Sequence, residues 1–420
     1  MTKLLKAGGN IRWGILSLLF CCTVLNYIDR QVISILKPTI GEDIGWSEMD
    51  YANIIFYFQV AYAIGYVSLG RFIDLAGTKK GLFACVLVWS LACAGHGLAR
   101  TVMGFGIARF FLGFGESGNY TGCIKATRAW FPAKERALAI GIYNGATNIG
   151  AMTAPFLVPW LTIMWGWQSA FYVTGAVGVI WVAAWWIFYH EVNDHPTVSE
   201  QEKAYIHQDP PDNVASEKIS YLRLLSKRTT WAYAICNLLS APIFWLYLFW
   251  LPDFLFKTHG VKLMDLGLPL FAIYMSASIG SILGGWISSQ FIARGMDVKK
   301  ARKLTMLITL IFISPIAFAP QIESLWGCTA IICVAIGAHQ AWTANIWSLV
   351  PDSTPGHAVG GVFGFGGMVG ALGGMVVAKV VGTVLTVTGS YYVIFLGVPF
   401  VYLCGLLALQ ILLPKKMEQF

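Results

Sequence analysis

The chain has 420 residues, of which 57% are hydrophobic and only 12% charged, with 17 Trp and a mean hydropathy of +0.64. A water-soluble domain of this length needs far more polar surface, so the composition excludes one and points to a chain that lies within a bilayer. The formal net charge of +8 would suit a nucleic-acid partner only with a basic stripe interleaved with aromatic residues, and the sequence has none.

Twelve apolar runs succeed one another: Trp13–Leu36, Tyr51–Leu69, Gly81–Leu98, Val102–Ala126, Ala137–Trp160, Ala170–Tyr189, Thr230–Phe254, Leu266–Phe291, Leu304–Phe318, Ser324–Leu349, Gly360–Leu385 and Tyr391–Leu413. Most approach the ~20 residues that a membrane helix requires. The first run carries polar and charged residues and is followed by all the others, so it reads as a retained helix and not as a cleaved signal. The expected fold is an all-α membrane protein of twelve transmembrane helices.

Orientation follows from Lys and Arg. They crowd the alternate connections, and only Lys37, Arg100, Lys257, Lys262 and Lys379 fall in the opposite ones. By the positive-inside rule the crowded side is the cytoplasm, which places both termini there. The surplus charge then sits beside anionic lipid. One long polar interruption, Glu191 to Arg228, separates six spans from six. The chain therefore divides into an N-terminal six-helix bundle over 1–190, a cytoplasmic linker over 191–229 and a C-terminal six-helix bundle over 230–420. The 9 Cys are scattered without metal-ligand spacing and read as small packing residues with reduced thiols, so no metal or cofactor is expected.

Charges inside the spans are the strongest functional signal. The fourth span holds Arg109 and Glu116, and a charge near the bilayer centre costs roughly 2.5–3.5 kcal/mol on insertion scales. The two share a helical face about 10 Å apart along the axis. Gly104, Gly106, Gly113, Gly115, Gly118 and Gly122 punctuate the same span, and small residues let a helix or a substrate come close. The first span holds Asp29 and Arg30. Adjacent helical residues point about 100° apart, so each of these needs its own partner, unless the helix ends early and both meet water at the outer mouth.

The loop after the second span reads GRFIDLAGTKK. Its Gly70, Asp74, Gly77 and Lys79 resemble the loop signature of the major facilitator superfamily, whose plan is two six-helix bundles with the substrate at midplane. Gly70 would allow close packing, Asp74 would offer a carboxylate at a helix end, Gly77 would turn the chain, and Lys79 would stay on the inner side. The resemblance implies a cytoplasmic gate. The corresponding loop of the second half has Ser289 or Gln290 near the acidic position, which implies a weaker gate there.

Further blocks narrow the resemblance. NYIDRQ, ARFFLGFGES and ATRAWFPAKERALAIG are similar to the anion:cation symporter branch of that superfamily, and WLYLFWLPDFL with GAHQAWTANIWSLVPD resembles its bacterial hexuronate carriers. The region GGVFGFGGMVGALGG lacks the Asn of the wider sugar-acid branch, which agrees better with uronates than with galactonate. The resemblance implies a monomeric carrier of the bacterial inner membrane that takes up D-glucuronate and D-galacturonate with protons. Asp29 and Glu116 would be the protonatable pair, and Arg30 would serve gating and the substrate. Arg109 would partner Glu116 or the anion, and Tyr27 and Tyr62 would line the site.

Other polar residues suit a sugar site. Asn144, Thr147 and Asn148 share a face of the fifth span, where interhelical hydrogen bonding is the alternative. His339, Trp342 and Asn345 step along the tenth span beside Gln340, offering an apolar ring face and fixed donors to a pyranose. Trp245, Tyr247 and Trp250 read as packing or an interfacial belt. Na⁺ coupling is the rival to protons, and no nucleotide-binding loop is present to support ATP drive. An intramembrane enzyme would need a nucleophile–base pair or clustered ligands, and a sensor would need a signalling domain. The sequence offers neither.

Overall fold

A computed structural model describes residues 10–209 and 221–414, and everything below concerns those residues. They are helical throughout: α1 (Ile11–Ile35), α2 (Lys37–Ile44), α3 (Glu48–Ala76), α4 (Thr78–Leu98), α5 (Val102–Trp130), α6 (Ala133–Trp165), α7 (Trp167–Phe188), α8 (Glu200–Ile206), α9 (Tyr221–Leu225), α10 (Arg228–His259), α11 (Gly267–Ala293), α12 (Val298–Ile313), α13 (Leu325–Ser353), α14 (Gly356–Thr388) and α15 (Tyr392–Leu412). A chain in hydrocarbon must satisfy its own backbone groups, and continuous helices do so.

Among the described residues, 10 helical stretches are long and apolar enough to cross a membrane, whereas the sequence leads one to expect twelve. The two long helices outside that set are α5 and α6, and these concentrate polar groups: Arg109, Glu116, Lys125 and Arg128 on one, Asn144 and Asn148 on the other. The ninth apolar run is not one α-helix. It is α12 continued by the 3₁₀ turns of Ser314–Gln321, which contain Pro315 and Pro320. A proline lacks the N–H that an α-helix interior would use.

The chain forms two compact units, and their boundaries differ from the expected halves. One unit is Met1–Ile33 with Ala61–Ala215, and the other is Ser34–Val60 with Ser216–Phe420. The segment 34–60 joins the second unit because its side chains bond there: Lys37 Nζ lies 2.7 Å from Asp253 Oδ2, and the Tyr51 hydroxyl donates to the Phe249 carbonyl at 2.8 Å. The start of the supposed linker joins the first unit for a similar reason, given below.

Within the first unit, α4 packs tightly against α5 and α7. A Cβ at Gly115 would stand 2.7 Å from the Cys85 carbonyl oxygen, and one at Gly122 would stand 2.7 Å from Leu82 Cδ1. Only glycine lets the two backbones approach this closely, so the small-residue punctuation of the fourth span is a packing seam. In the second unit the seam is Gly280 and Gly284 of α11 against Gly337 and Ala341 of α13.

Candidate substrate and coupling site

The charged groups of the first unit meet through α1. Arg30 is 2% exposed and Glu116 is fully buried. Arg30 Nε donates to Glu116 Oε2 at 2.9 Å, and its Nη2 lies 2.7 Å from the same oxygen. The guanidinium also donates to Asn26 Oδ1 at 3.1 Å and to the Tyr62 hydroxyl at 3.3 Å. It stands over two rings, 4.8 Å from the Tyr27 centroid and 5.2 Å from that of Tyr62. Aromatic faces stabilise a cation that has lost its water. Both Tyr27 and Tyr62 therefore belong to this site.

Of the two partners expected for Arg109, Glu116 or the anion, the carboxylate is bonded by another residue. Arg109 is fully buried, and its Nη2 donates to the backbone carbonyl of Arg30 at 2.7 Å. The guanidinium on the Glu116 carboxylate is that of Arg30. Seven residues along one helix put Arg109 and Glu116 about 10 Å apart, whereas α1 brings Arg30 directly beside Glu116. Glu116 Oε1 has no hydrogen-bond partner among the described residues. One oxygen of the carboxylate is thus held twice and the other is left over, which is expensive for a buried charge.

Asp29, the neighbour of Arg30, points elsewhere. Its Oδ1 accepts from the Cys93 thiol at 3.3 Å on α4, and that thiol lies 3.3 Å from the Thr174 hydroxyl of α7. All three side chains are buried. The helix does not end early, since α1 runs through Ile35. The 100° step between adjacent residues sends Arg30 towards α5 and Asp29 towards α4 and α7, so each has its own partner.

The remaining first-unit candidates are less engaged. Asn144, Thr147 and Asn148 are half-buried on α6, where the Thr147 hydroxyl donates to the Asn144 carbonyl at 2.7 Å. A Cβ at nearby Gly150 would stand 2.5 Å from the Val24 carbonyl oxygen and 2.8 Å from Tyr27 Cβ, so α6 presses closely on the helix that carries Arg30.

The tenth-span residues have packing roles in the second unit. His339 Nδ1 bonds to the Tyr402 hydroxyl, and its ring stacks on Phe244 at 5.9 Å. Trp342 is fully buried, edge-on to Tyr402 at 5.0 Å. Asn345 Nδ2 donates to the Gly284 carbonyl at 3.0 Å, fastening α13 to α11 at the glycine seam. The amide hydrogens of Asn345 are thus taken by helix carbonyls, whereas Trp342 Nε1 and Asn345 Oδ1 have no hydrogen-bond partner among the described residues, and Gln340 beside them is half-buried. Trp245, Tyr247 and Trp250 also pack inside this unit, with Trp245 stacked on Phe249 at 5.7 Å.

At the loop between α3 and α4, Asp74 forms an ion pair with Lys125 of α5. Gly77 has φ +81°, a conformation that L side chains rarely adopt, and it makes the turn. Lys79 Nζ sits 5.2 Å from the Trp186 ring centroid. Gly70 is not a close-packing glycine, because a Cβ there would meet only Thr121 Cγ2 at an ordinary 3.9 Å. In the second unit the acid comes from a different helix: Arg302 of α12 reaches Asp352 of α13 at 3.2 Å and the Ser288 hydroxyl at 2.7 Å. Ser289 bonds back to the Gly285 carbonyl.

Two charged clusters escape sequence reading. Arg12 at the start of α1 is buried between Glu135, at 3.1 Å, and Glu202 of α8, at 3.2 Å. Glu202 also accepts from the Arg12 backbone N–H at 3.2 Å, capping α1, and the Tyr205 hydroxyl donates to Glu135 at 2.7 Å. Burial raises the Tyr205 phenol above its ordinary range, and the bond to Glu135 adds to this, so the hydroxyl stays a donor. This clasp is why the segment after Glu191 belongs to the first unit. In the second unit, Asp253 gathers Lys37, Lys257 and the Tyr391 hydroxyl, and Lys37 also reaches Glu48 at 2.7 Å. The lone Asp in WLPDFL was visible in the sequence, whereas its partners Lys37 of α2, Lys257 of its own helix α10 and Tyr391 just before α15 were not.

The buried pair of Arg30 on α1 and Glu116 on α5, flanked by Tyr27 and Tyr62, thus lies within a bundle of apolar helices. The sequence profile of the Major Facilitator Superfamily matches residues 19–378, and the chain belongs to that family. It is a transporter and not an enzyme, a multi-pass protein of the bacterial inner membrane resembling the hexuronate carriers among the anion:cation symporters. It is 30% identical over 383 residues to the hexuronate transporter of Escherichia coli (strain K12), covering 90% of this chain and 89% of that protein. It is 34% identical over 284 residues to the galacturonate transporter of Dickeya chrysanthemi, covering 67% of this chain and 82% of that one. A probable galactarate/D-glucarate transporter of Escherichia coli (strain K12) is 28% identical over 404 residues, covering 92% of this chain and 91% of that protein. Among solved structures, a bacterial homologue of the human lysosomal transporter Spinster superposes with a TM-score of 0.71 at 18% identity, over 96% of this chain and 95% of that one, which establishes the fold.

Proposed function

We propose that this protein is a proton-coupled symporter that imports hexuronates, D-glucuronate and D-galacturonate, by alternating access through twelve spans with both termini cytoplasmic. The observation that carries the reading is the buried Arg30–Glu116 pair. A uronate has one carboxylate, which a guanidinium fork binds well. When the substrate engages Arg30, Glu116 loses its counter-ion in a low-dielectric site and takes up a proton. Substrate and proton then bind with positive coupling, and by linkage the effect is reciprocal.

The other roles follow from position. Tyr27 and Tyr62 flank Arg30 and suit the apolar face of a pyranose; Arg109 holds the backbone at Arg30. Asp29 is the second protonatable group. Asn144, Thr147, Asn148 and Gln340 remain candidates for sugar hydroxyls, and Asp74 with Gly77 and Lys79 forms the cytoplasmic gate. Relatives named for hexuronate, galacturonate and galactarate/glucarate support a sugar acid. The two relatives named for uronates stand at 30% and 34% identity, against 28% for the aldarate relative, and this favours the uronate.

Counterflow in proteoliposomes tests this directly. Vesicles loaded with glucuronate or galacturonate should accumulate labelled uronate, and a protonophore should abolish gradient-driven uptake. Competition by galactonate or galactarate with none by uronates would overturn the substrate. Uptake that ignores protonophores and requires Na⁺ would overturn the coupling.

A further inference from the structure

The buried contacts of Asp29 lead one step beyond this reading. We infer that Cys93 is a positioning residue of the coupling machinery: its thiol is the donor that stabilises the ionised Asp29 carboxylate, and Thr174 holds the thiol in place. The inference rests on the assignment of Asp29 as a proton-coupling group.

The geometry is specific. Cys93 is fully buried, and its Sγ lies 3.3 Å from Asp29 Oδ1 and 3.3 Å from Thr174 Oγ1. The Thr174 hydroxyl donates to the Ala170 carbonyl at 3.0 Å, which fixes the side chain with a lone pair towards the thiol. Thr174 can stand there because α7 presses its backbone onto α4: a Cβ at Gly175 would be 2.8 Å from the Ser90 carbonyl oxygen and 2.9 Å from Ala94 N. The second carboxylate oxygen, Oδ2, has no hydrogen-bond partner among the described residues. The thiol donates to Oδ1, and the Thr174 hydroxyl also stands close to the same carboxylate.

A thiol suits a carboxylate that must change its protonation state. It carries one hydrogen that rotates freely, with a weak donor and a weak acceptor in the same atom. When Asp29 is ionised the S–H points to Oδ1. When Asp29 is protonated the S–H turns to Thr174 Oγ1, and the sulfur accepts from the acid. Neither state leaves a strong buried donor stranded, whereas a lysine or an amide would hold the carboxylate in one state. Charged and titratable groups facing Asp29 are Cys22 on α1, Arg109 and Glu116 on α5, and Cys93 on α4. His96, one turn beyond Cys93, is turned to the Ala92 carbonyl and stacked on Phe171 at 5.1 Å, within electrostatic reach of Arg109.

The sign of the effect follows. Without the thiol donor the ionised form of Asp29 loses support, so the carboxylate keeps its proton to higher pH. The alkaline limb of the uptake profile should then move upward. One weak buried hydrogen bond corresponds to a displacement on the order of half a pH unit to one unit.

The experiment measures initial rates of gradient-driven uronate uptake against external pH in proteoliposomes of the full chain, for wild type, Cys93→Ala, Cys93→Val, Cys93→Ser and Asp29→Asn. Cys93→Val fills the volume without a donor and covers the case in which the alanine variant fails to fold. Ala or Val should shift the alkaline limb upward, and Cys93→Ser, which restores a donor, should return it to wild type or below. A wild-type profile in Ala and Val, a uniform loss at every pH without a shift, or a serine profile matching alanine would each overturn the proposal. Asp29→Asn separates the two levels. If it accumulates uronate with an unchanged profile, the assignment of Asp29 fails; if it loses accumulation while Cys93→Ala keeps the wild-type profile, only the role of Cys93 fails.

Discussion

The two units solve the same packing problem and bury different chemistry. Each has a glycine seam: Gly115 and Gly122 of α5 against α4, and Gly280 and Gly284 of α11 against α13. In the first unit the groups beside the seam are charged: Glu116 follows Gly115 directly, and it holds Arg30. In the second unit the buried group at the seam is neutral, Asn345, whose Nδ2 donates to the Gly284 and Ala341 carbonyls. A neutral hydrogen bond between helices stabilises one arrangement. A buried charged pair with a spare carboxylate oxygen can be exchanged for another anion. The proposed ion and substrate handling therefore rests on the first unit, while the Asn345 contact fastens α13 to α11 in the second.

Removing Arg30 should have the largest effect. Arg30→Ala strands Glu116, and breaking a buried pair by deleting one partner costs about 3–5 kcal/mol, partly relieved by protonation of the acid. Uptake should fall at least about 100-fold, more than 2.7 kcal/mol in the transport step. Replacing both partners by apolar residues of similar volume, Arg30→Met with Glu116→Leu, should recover detergent thermal stability and leave transport absent. If the double variant carried uronate, the pair would be scaffolding like the second unit's polar groups.

Arg109→Lys comes next. Lysine keeps the charge and loses the planar fork that reaches the Arg30 carbonyl. Uptake should fall roughly 10-fold, a cost of about 1.4 kcal/mol, while the protein inserts and purifies normally. Near-normal uptake by the lysine variant would reduce Arg109 to a generic counter-ion.

The smallest transport effect is expected from the second unit. Asn345→Ala removes the bond to Gly284, and a lost buried hydrogen bond costs about 1–3 kcal/mol. Thermal stability in detergent should drop by that order. Uptake per folded molecule should stay within about twofold, less than 0.5 kcal/mol, if Asn345 only fastens helices. A large loss of uptake at unchanged stability would return Asn345 to the substrate site and erase the contrast between the units.

Much of this was legible in the sequence, for physical reasons. Membrane helices announce themselves by length and apolarity, and charges within them stand out because they are expensive. That is how Asp29, Arg30, Arg109 and Glu116 were found. Which acid takes which base was not legible, because helical spacing orders residues along α5 but says nothing of where α1 crosses it. Of the two partners the sequence allows for Arg109, Glu116 or the anion, the first is taken by Arg30. The packing of His339 on Phe244 and Tyr402 and the bond of Asn345 to Gly284 were not legible either, since a polar face looks the same whether it meets a sugar or another helix. Cys93 was under-read as small apolar packing, because a thiol's role as donor shows only once a carboxylate stands beside it.

The central claim is that Glu116 exchanges its counter-ion for a proton when substrate arrives. Glu116→Gln keeps the shape and removes the titrating group, which locks the neutral state. Counterflow and gradient-driven uptake, measured on one proteoliposome preparation of wild type and this variant, separate exchange from coupling. Exchange does not require the empty, deprotonated carrier to return, so the variant should retain counterflow and lose uphill accumulation. Accumulation of uronate against its gradient as strong as that of wild type would contradict the account and leave Glu116 a structural partner of Arg30.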